Sequence, residues 1–253
     1  MHPMIAAHRV GSLLLRIIEN LREKVASEQR AHLRRRLRRL SRPAWLGTIR
    51  RTTPLSEGWG SDRGTPVDRY YIERFLEGYR QDIRGRVLEV KDSRYTDRYG
   101  TGVEHSDVLD IDSRNPYATI IADLAAADAI PSNTFDCFIL TQTLQLIYET
   151  RAAVSHAHRI LRSGGILLVT VPSVSRIVFE HEGTDYWRFT VASCKMIFEE
   201  VFGAEQVTLR SHGNVLTAIA FLTGMAYQEL SPRELEMNDE YFPLIIAVRA
   251  VKQ

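Results

Sequence analysis

Cysteine is scarce in this chain. Cys137 and Cys194 lie far apart in apolar surroundings, which excludes a disulfide framework or a thiolate metal cluster and makes a reducing cytoplasm the expected setting. The histidines His105, His156, His158 and His212 are scattered without the spacing of a zinc site, and no HExxH string occurs. No run approaches the roughly 20 apolar residues of a membrane span. The most apolar early stretch, GSLLLRIIENL, is broken by Arg16 and Glu19 and lacks a small-residue cleavage site after it, so neither a transmembrane segment nor export is expected.

Acid is missing altogether from residues 29 to 56. Residues 1–56 hold thirteen Arg or Lys against three Glu, net +10, so a chain of net charge +2 leaves residues 57–253 at −8. Leu13, Leu14, Ile17, Ile18, Leu21 and Val25 fall at near-helical spacing, which predicts an amphipathic helix running toward Leu40 and stopped by Pro43. Arg34, Arg35, Arg36, Arg38 and Arg39 surround Leu33, Leu37 and Leu40. This basic helical extension suits packing on a protein partner or simple solvation; an anionic membrane surface is a further reading. No base-reading motif or aromatic-interleaved strand accompanies the charge, so nucleic acid is not an expected partner. The chain therefore reads as a basic extension and linker over 1–56 and one domain over 57–253, of open oligomeric state.

From Ser56 to Thr65 the Gly, Ser and Asp content reads as a linker or mobile loop. PVDRYYIERFLEGY (66–79) reads as a helix with Tyr70 or Tyr71, Phe75 and Leu76 facing a core. Short apolar strands then alternate with helices. Strands are expected at 86–91, 103–109, 118–122, 135–141 and in ILLVTV, with helices around 149–161 and 190–202. A strand at 205–211, a helical segment from Asn214 to Leu222 and a last strand from Pro243 complete the pattern. Unbroken apolarity in ILLVTV is what a strand covered by helices on both faces requires. The fold class is α/β, a doubly wound Rossmann-like sheet.

The strings VLEV (87–90), IIADL (120–124), NTFDCFILTQTLQLI (133–147) and AHRILRSGGILLVTVP (157–172) occur in an order and spacing that resemble the class I S-adenosylmethionine-dependent methyltransferases, in particular the small-molecule enzymes called type 11. The likeness spans about Tyr70 to Lys252, and DYWRFT (185–190) resembles a string that follows the fifth strand in many of them. It implies a mostly parallel sheet with an antiparallel last strand and S-adenosylmethionine as cofactor. It also implies that Glu89 ends the first strand, that an acid of the second strand holds the cofactor ribose, and that Asp123 lies beside the adenine, with Leu124 against its plane. Asp107 is the first choice for the ribose acid, and Asp110 and Asp112 stay open because the strand's register does. A carboxylate at a strand's carboxyl end accepts two hydroxyl protons, and such edges bear the ligands of these sheets.

Two features depart from the pattern. Glycines that would let the backbone approach the cofactor's methionine portion are replaced by Lys91, Asp92 and Ser93, and Gly100 and Gly102 come too late to stand in for them. A widened loop would bring Asp92 to the cofactor's amino group and Tyr95 over its sulfonium side; alternatively Lys91 fills the volume. Second, Leu146 stands where many relatives have a substrate-facing histidine. His181 in EHEGTDYWRFT is then the candidate base, with Glu180, Glu182 and Asp185 available to orient it. Thr141, Gln142 and Thr143 follow the fourth strand, in the loop that the resemblance implies faces the methyl donor. Tyr70, Tyr71, Tyr186 and Trp187 are candidate walls of the acceptor site, and Arg188 a holder of a carboxylate or phosphate. The expected activity is methyl transfer to a hydroxyl, with an amine second, of a small sugar-containing or secondary-metabolite acceptor, as in antibiotic and other natural-product pathways. The alternative is a repurposed domain without transfer activity that binds a partner through its Arg-rich helix.

Overall fold

The computed structural model divides into two compact units, Met1–Thr52 and Thr53–Gln253. It describes residues 52–178 and 183–253, with positions 29, 30, 33, 47 and 50 of the first unit. The amphipathic helix expected toward Leu40 lies outside the described residues apart from isolated positions, and so does His181 with Glu180 and Glu182.

Among the described residues a seven-stranded sheet is formed by β1 (Gly85–Val90), β2 (Val103–Asp110), β3 (Ile120–Ile121), β4 (Phe135–Thr141), β5 (Leu161–Pro172), β6 (Val207–His212) and β7 (Ile245–Val251). Its order is β3-β2-β1-β4-β5-β7-β6. β7 runs antiparallel to both neighbours and the remaining pairs are parallel. The helices are α1 (Val67–Gly78), α2 (Arg94–Tyr99), α3 (Thr150–Ile160), α4 (Val191–Phe202), α5 (Val215–Thr223) and α6 (Pro232–Glu236).

Alternation of side chains along a strand sorts the apolar runs into two cores. Phe138, Leu140, Leu167, Val169 and Val171 pack with Ala153, Val154 and Ala157 of α3 and Cys194 and Phe198 of α4. Their neighbours Cys137, Ile139 and Leu168 join Ile72, Phe75 and Leu76 of α1, Tyr95 and Tyr99 of α2 and Phe221 of α5 on the opposite face. Both cysteines are buried and free, and burial pushes the Cys194 thiol up to about 12 and that of Cys137 further still. They act as small apolar residues.

Caps set the helix starts that the sequence anticipates. Thr190 and Ser193 exchange hydrogen bonds at the head of α4. Asn214 accepts from Leu216 N and Thr217 N at the head of α5 while its amide donates to Glu234 O and Met237 O, tying α5 to α6. The segment expected as a mobile loop is instead pinned. Ser56 Oγ accepts from Gly58 N and Gly60 N and pairs with Asp62. Arg63 pairs with Glu229, and Thr65 exchanges hydrogen bonds with the Gln228 side chain. Gly60, at φ +92, lies so close to Met225 O that a Cβ would sit 2.5 Å from it.

Candidate active site

The carboxyl ends of the parallel strands form one edge. β1 sits between β2 and β4, so the chain leaves the sheet in opposite directions on its two sides and opens the crevice where such sheets bind ligands. Two non-glycine residues hold left-handed backbone at that crevice: Lys91, at φ +75 immediately after β1, and Gln142, at φ +47 immediately after β4. Each amide is anchored to the next strand, Lys91 N to Leu109 O at 2.9 Å and Gln142 N to Thr170 O at 2.8 Å. Such backbone costs an L-residue about 1–2 kcal/mol, and strain of this kind gathers at working sites. Lys91 thus preserves the turn a glycine would make. Its side chain is exposed, and its carbonyl accepts from Asn115 Nδ2 at 2.7 Å.

Glu89 is buried one residue short of the end of β1 and accepts from Tyr95 N, Thr96 N and Thr96 Oγ1 at 3.0, 2.7 and 2.7 Å. It clamps the first turn of α2 to the sheet. Loss of water outweighs those three donors and pushes its carboxyl up to about 7. Tyr95 lies buried on α2, stacked on Tyr99, with its hydroxyl accepting from Arg69 Nη1 at 3.0 Å. That position is in the core beneath α1, so the sulfonium cover expected of it is not what it provides. Asp92 accepts from Arg94 N and pairs with that guanidinium.

The register decides among the acids of β2. Asp107 pairs with Leu88 and lies three residues short of the strand's end. It is buried and accepts from Arg86 Nε at 2.8 Å and Thr119 Oγ1 at 2.9 Å, with His105 at 3.4 Å. Although burial opposes it, these partners hold its carboxyl below the usual range. Asp107 is therefore part of an ion cluster inside the sheet rather than the edge acid expected. Asp110 ends the strand, half-buried, with one oxygen accepting from Asp112 N and the other from Asn115 Nδ2. A carboxylate has about four acceptor sites, so two remain for a ligand. Asp112 is turned to Arg114, which holds it down to about 2. Beyond β3, exposed Asp123 accepts from Ala125 N, and Leu124 is buried. Ile111, next to Asp110, is 70% exposed; an apolar side chain offered at the rim beside an acid is a feature the sequence reading passed over.

On the other side of the crevice, Thr141 ends β4 half-buried. Gln142 Nε2, Gln145 Oε1 and Thr170 Oγ1 are buried polar atoms with no hydrogen-bond partner among the described residues. They stand together: Gln145 Nε2 donates to Gln142 O at 2.8 Å, and Thr170 pairs with Thr141 across the sheet. Gln145 O also accepts from the amides of Tyr186 and Trp187, which brings the DYWRFT string to this edge. Tyr186 is exposed, edge-on to Tyr148. Trp187 donates its indole N–H to Ile147 O at 3.0 Å, so its nitrogen fastens the segment. Arg188 is engaged by Asp185 at 2.9 Å, by Arg176 O and by its neighbour's carbonyl, which removes it as an anion holder. Asp185, committed to Arg188 and to Val178 N, serves this buttress. Tyr71 is buried, donates to Leu235 O and stacks on His212 at the end of β6, and Tyr70 meets Arg74 and Tyr227.

Four residues that sequence reasoning missed belong to this edge: Gln145, Thr170, Arg176 and Trp59. Trp59 stands between two glycines in GWG, and Arg176 is the lone charge in SVSRIV; these were the available signals. Among the described residues no group of three or more His, Cys, Asp or Glu could hold a metal ion, and no helix is long and apolar enough to cross a membrane.

A family model described as a methyltransferase domain matches residues 85–169, from β1 into β5. No curated protein matches the sequence. The chain resembles the solved structure of a SAM-dependent methyltransferase from Archaeoglobus fulgidus at 15% identity, covering 73% of this chain and 94% of that one with a TM-score of 0.49. It also resembles an S-adenosylmethionine-dependent methyltransferase from Mesorhizobium loti at 12% identity, 75% and 99% coverage and a TM-score of 0.48. A third likeness, at 12% identity, 80% and 100% coverage and a TM-score of 0.47, is to a complex between the Haloferax volcanii Trm112 methyltransferase activator and a putative methyltransferase.

Proposed function

We propose that this chain, whose residues 85–169 match a family model described as a methyltransferase domain, is a class I S-adenosylmethionine-dependent methyltransferase that transfers a methyl group to a hydroxyl of a small-molecule acceptor. The observation that carries the reading is the pair of left-handed turns at Lys91 and Gln142, facing each other across the ends of β1 and β4. Flanking them are the acids Asp110 and Asp123 on the β2 and β3 side and, on the β4 and β5 side, the buried atoms Gln142 Nε2, Gln145 Oε1 and Thr170 Oγ1, without a hydrogen-bond partner among the described residues.

The residues present fit S-adenosylmethionine. Asp110 would hold the ribose hydroxyls, Ile111 and Leu124 the adenine faces, and Asp123 its amino edge, while Glu89 fixes the α2 end of the turn. When bound, the cofactor supplies an electrophilic methyl on a sulfonium. The chain's own work is alignment and exclusion of water. Gln142, Gln145 and Thr170 orient the acceptor, since each has a buried donor or acceptor to spend on it. His181 is the proposed base for the hydroxyl proton; the segment bearing it joins β5 to the DYWRFT string, which reaches the edge through Gln145. The likeness of that string to glycan and natural-product methyltransferases supports a sugar-containing or secondary-metabolite acceptor by analogy.

A second reading, a repurposed domain without transfer activity, draws on Lys91 alone, a long cation in a turn that glycine would fill. Calorimetry with S-adenosylmethionine and S-adenosylhomocysteine separates the two. Micromolar binding weakened in D110A and D123A supports the donor site and leads to a screen of glycosides and phenols with methyl-labelled cofactor. Folded protein that ignores both ligands at millimolar concentration sinks methyl transfer.

A further inference from the structure

We infer that the acceptor bears an anionic group, a carboxylate or a phosphate, and that Arg176 is the residue that holds it, with its guanidinium laid on the face of Trp59. The inference rests on the methyl-transfer reading and adds the chemistry of the acceptor to it. Arg176 follows the carboxyl end of β5, four residues beyond Pro172. Its guanidinium carbon stands 3.7 Å from the centre of the Trp59 ring. Trp59 itself holds left-handed backbone, φ +56, in the pinned loop that leads into the head of α1.

Residues 57–253 carry 20 basic against 28 acidic side chains, and most arginines there are matched: Arg63, Arg86, Arg94, Arg98, Arg162, Arg188 and Arg249 among others have carboxylate partners. Arg176 has none among the described residues, and of the described arginines it alone has a buried side-chain donor, Nε, without a hydrogen-bond partner among those residues. Burying a guanidinium N–H unpaired costs about 1–3 kcal/mol. The surroundings hold it in place nonetheless. Arg188 Nη2 donates to Arg176 O at 2.8 Å, and Asp185 both neutralises Arg188 and accepts from Val178 N at 2.8 Å. Stacking on Trp59 fixes the guanidinium plane, and Nε with one Nη is the fork that matches two oxygens of a carboxylate or phosphate. A cation so braced, with no carboxylate partner among the described residues, is a recognition group for an anion arriving at this edge.

The test uses the full chain and its reaction with phenylglyoxal, mapped by peptide mass spectrometry, at constant ionic strength in chloride, acetate or inorganic phosphate. Arg176 is expected to react faster than Arg188, which Asp185 blocks, and to be slowed selectively by phosphate or acetate. Exposed Arg84, which has no carboxylate partner among the described residues, is the control and should not be slowed. Slowing by phosphate alone assigns a phosphorylated acceptor, and slowing by acetate a carboxylate. Equal slowing of Arg84 and Arg176, or none at either, overturns the proposal. With acceptors that differ only in the acid, R176M is expected to raise KM for the anionic member about tenfold or more relative to the neutral member; R176K, which keeps the charge without the fork, falls between. Binding of S-adenosylhomocysteine to R176M is measured alongside and should match wild type. Selective protection of Arg176 in a protein that binds no S-adenosylhomocysteine would keep the anion site and sink the methyl-transfer reading instead.

Discussion

Lys91→Gly isolates the strained turn on which the site reading depends. At φ +75 the lysine pays the steric penalty of left-handed backbone, about 1–2 kcal/mol, which glycine escapes. Against this, glycine widens the unfolded ensemble by about 0.4–1 kcal/mol. The Lys91 side chain is exposed and makes no ion pair among the described residues, so its removal adds little. The balance is a gain of about 0.5–1 kcal/mol, or roughly 1–4 °C in Tm for a unit of this size. Lys91→Ala is the control: it deletes the same cation and keeps the Cβ, so it should leave stability within about 0.5 kcal/mol of wild type. Urea unfolding followed by far-UV circular dichroism reads both. A Lys91→Gly protein less stable than Lys91→Ala would refute the strain argument. The same pair tests the site: if the turn is a retained cofactor loop, S-adenosylhomocysteine binds Lys91→Gly at least as well as wild type.

The two acids of β2 should separate cleanly. D110N is expected to weaken S-adenosylhomocysteine about tenfold or more with little change in stability, because it loses a charged acceptor of hydroxyl protons. D107N should cost about 2–3 kcal/mol by leaving Arg86 short of its partner, with donor affinity unchanged; calorimetry and unfolding on both variants check the split. Glu89 predicts a pH effect. Its carboxyl stands near 7 folded against an ordinary 4.5, so the folded state binds the extra proton and stability falls as pH rises from about 4.5 to 7, by up to about 3 kcal/mol. E89Q should flatten that slope, and a wild-type profile that rises across this window would refute it. N214A removes the cap of α5 and two links to α6 at once and should cost about 2 kcal/mol or more, read as a lowered urea midpoint.

The strands were legible because both faces of this sheet are covered. Phe135–Thr141 matches its expected bounds, since an apolar run ending at polar Thr141 and Gln142 leaves little choice. β5 begins at Leu161 rather than Ile166, because the register shift opposite Phe135 and Cys137 absorbs the Gly164-Gly165 pair into the strand. The site was harder. Asp107 and Asp110 are equivalent as letters, and the parallel pairing of Leu88 with Asp107 is what puts the first beside Arg86 and the second at the edge. Asp185, Trp187 and Arg188 look like site chemistry in DYWRFT, yet their partners Val178, Ile147 and Arg176 are set by the tertiary path. Backbone sign is likewise invisible in a lysine or a glutamine.

Backbone sign also decides what the missing glycines mean. Their absence after β1 reads, in sequence, as loss of the cofactor loop. The turn persists without them: Lys91 keeps positive φ, its amide stays on Leu109 O, and Glu89 closes the loop onto α2. A domain that had merely drifted from its function would relax to unstrained backbone, since a residue in the ordinary region would recover about 1 kcal/mol or more there. Surrounding hydrogen bonds instead hold the strain in place at both Lys91 and Gln142, on either side of the crevice. What the glycines would have contributed beyond conformation is open space, and Lys91 brings an exposed side chain to that place instead. Loss of the glycine letters therefore argues less against donor binding than the string suggests, and affinity in Lys91→Gly relative to wild type measures by how much.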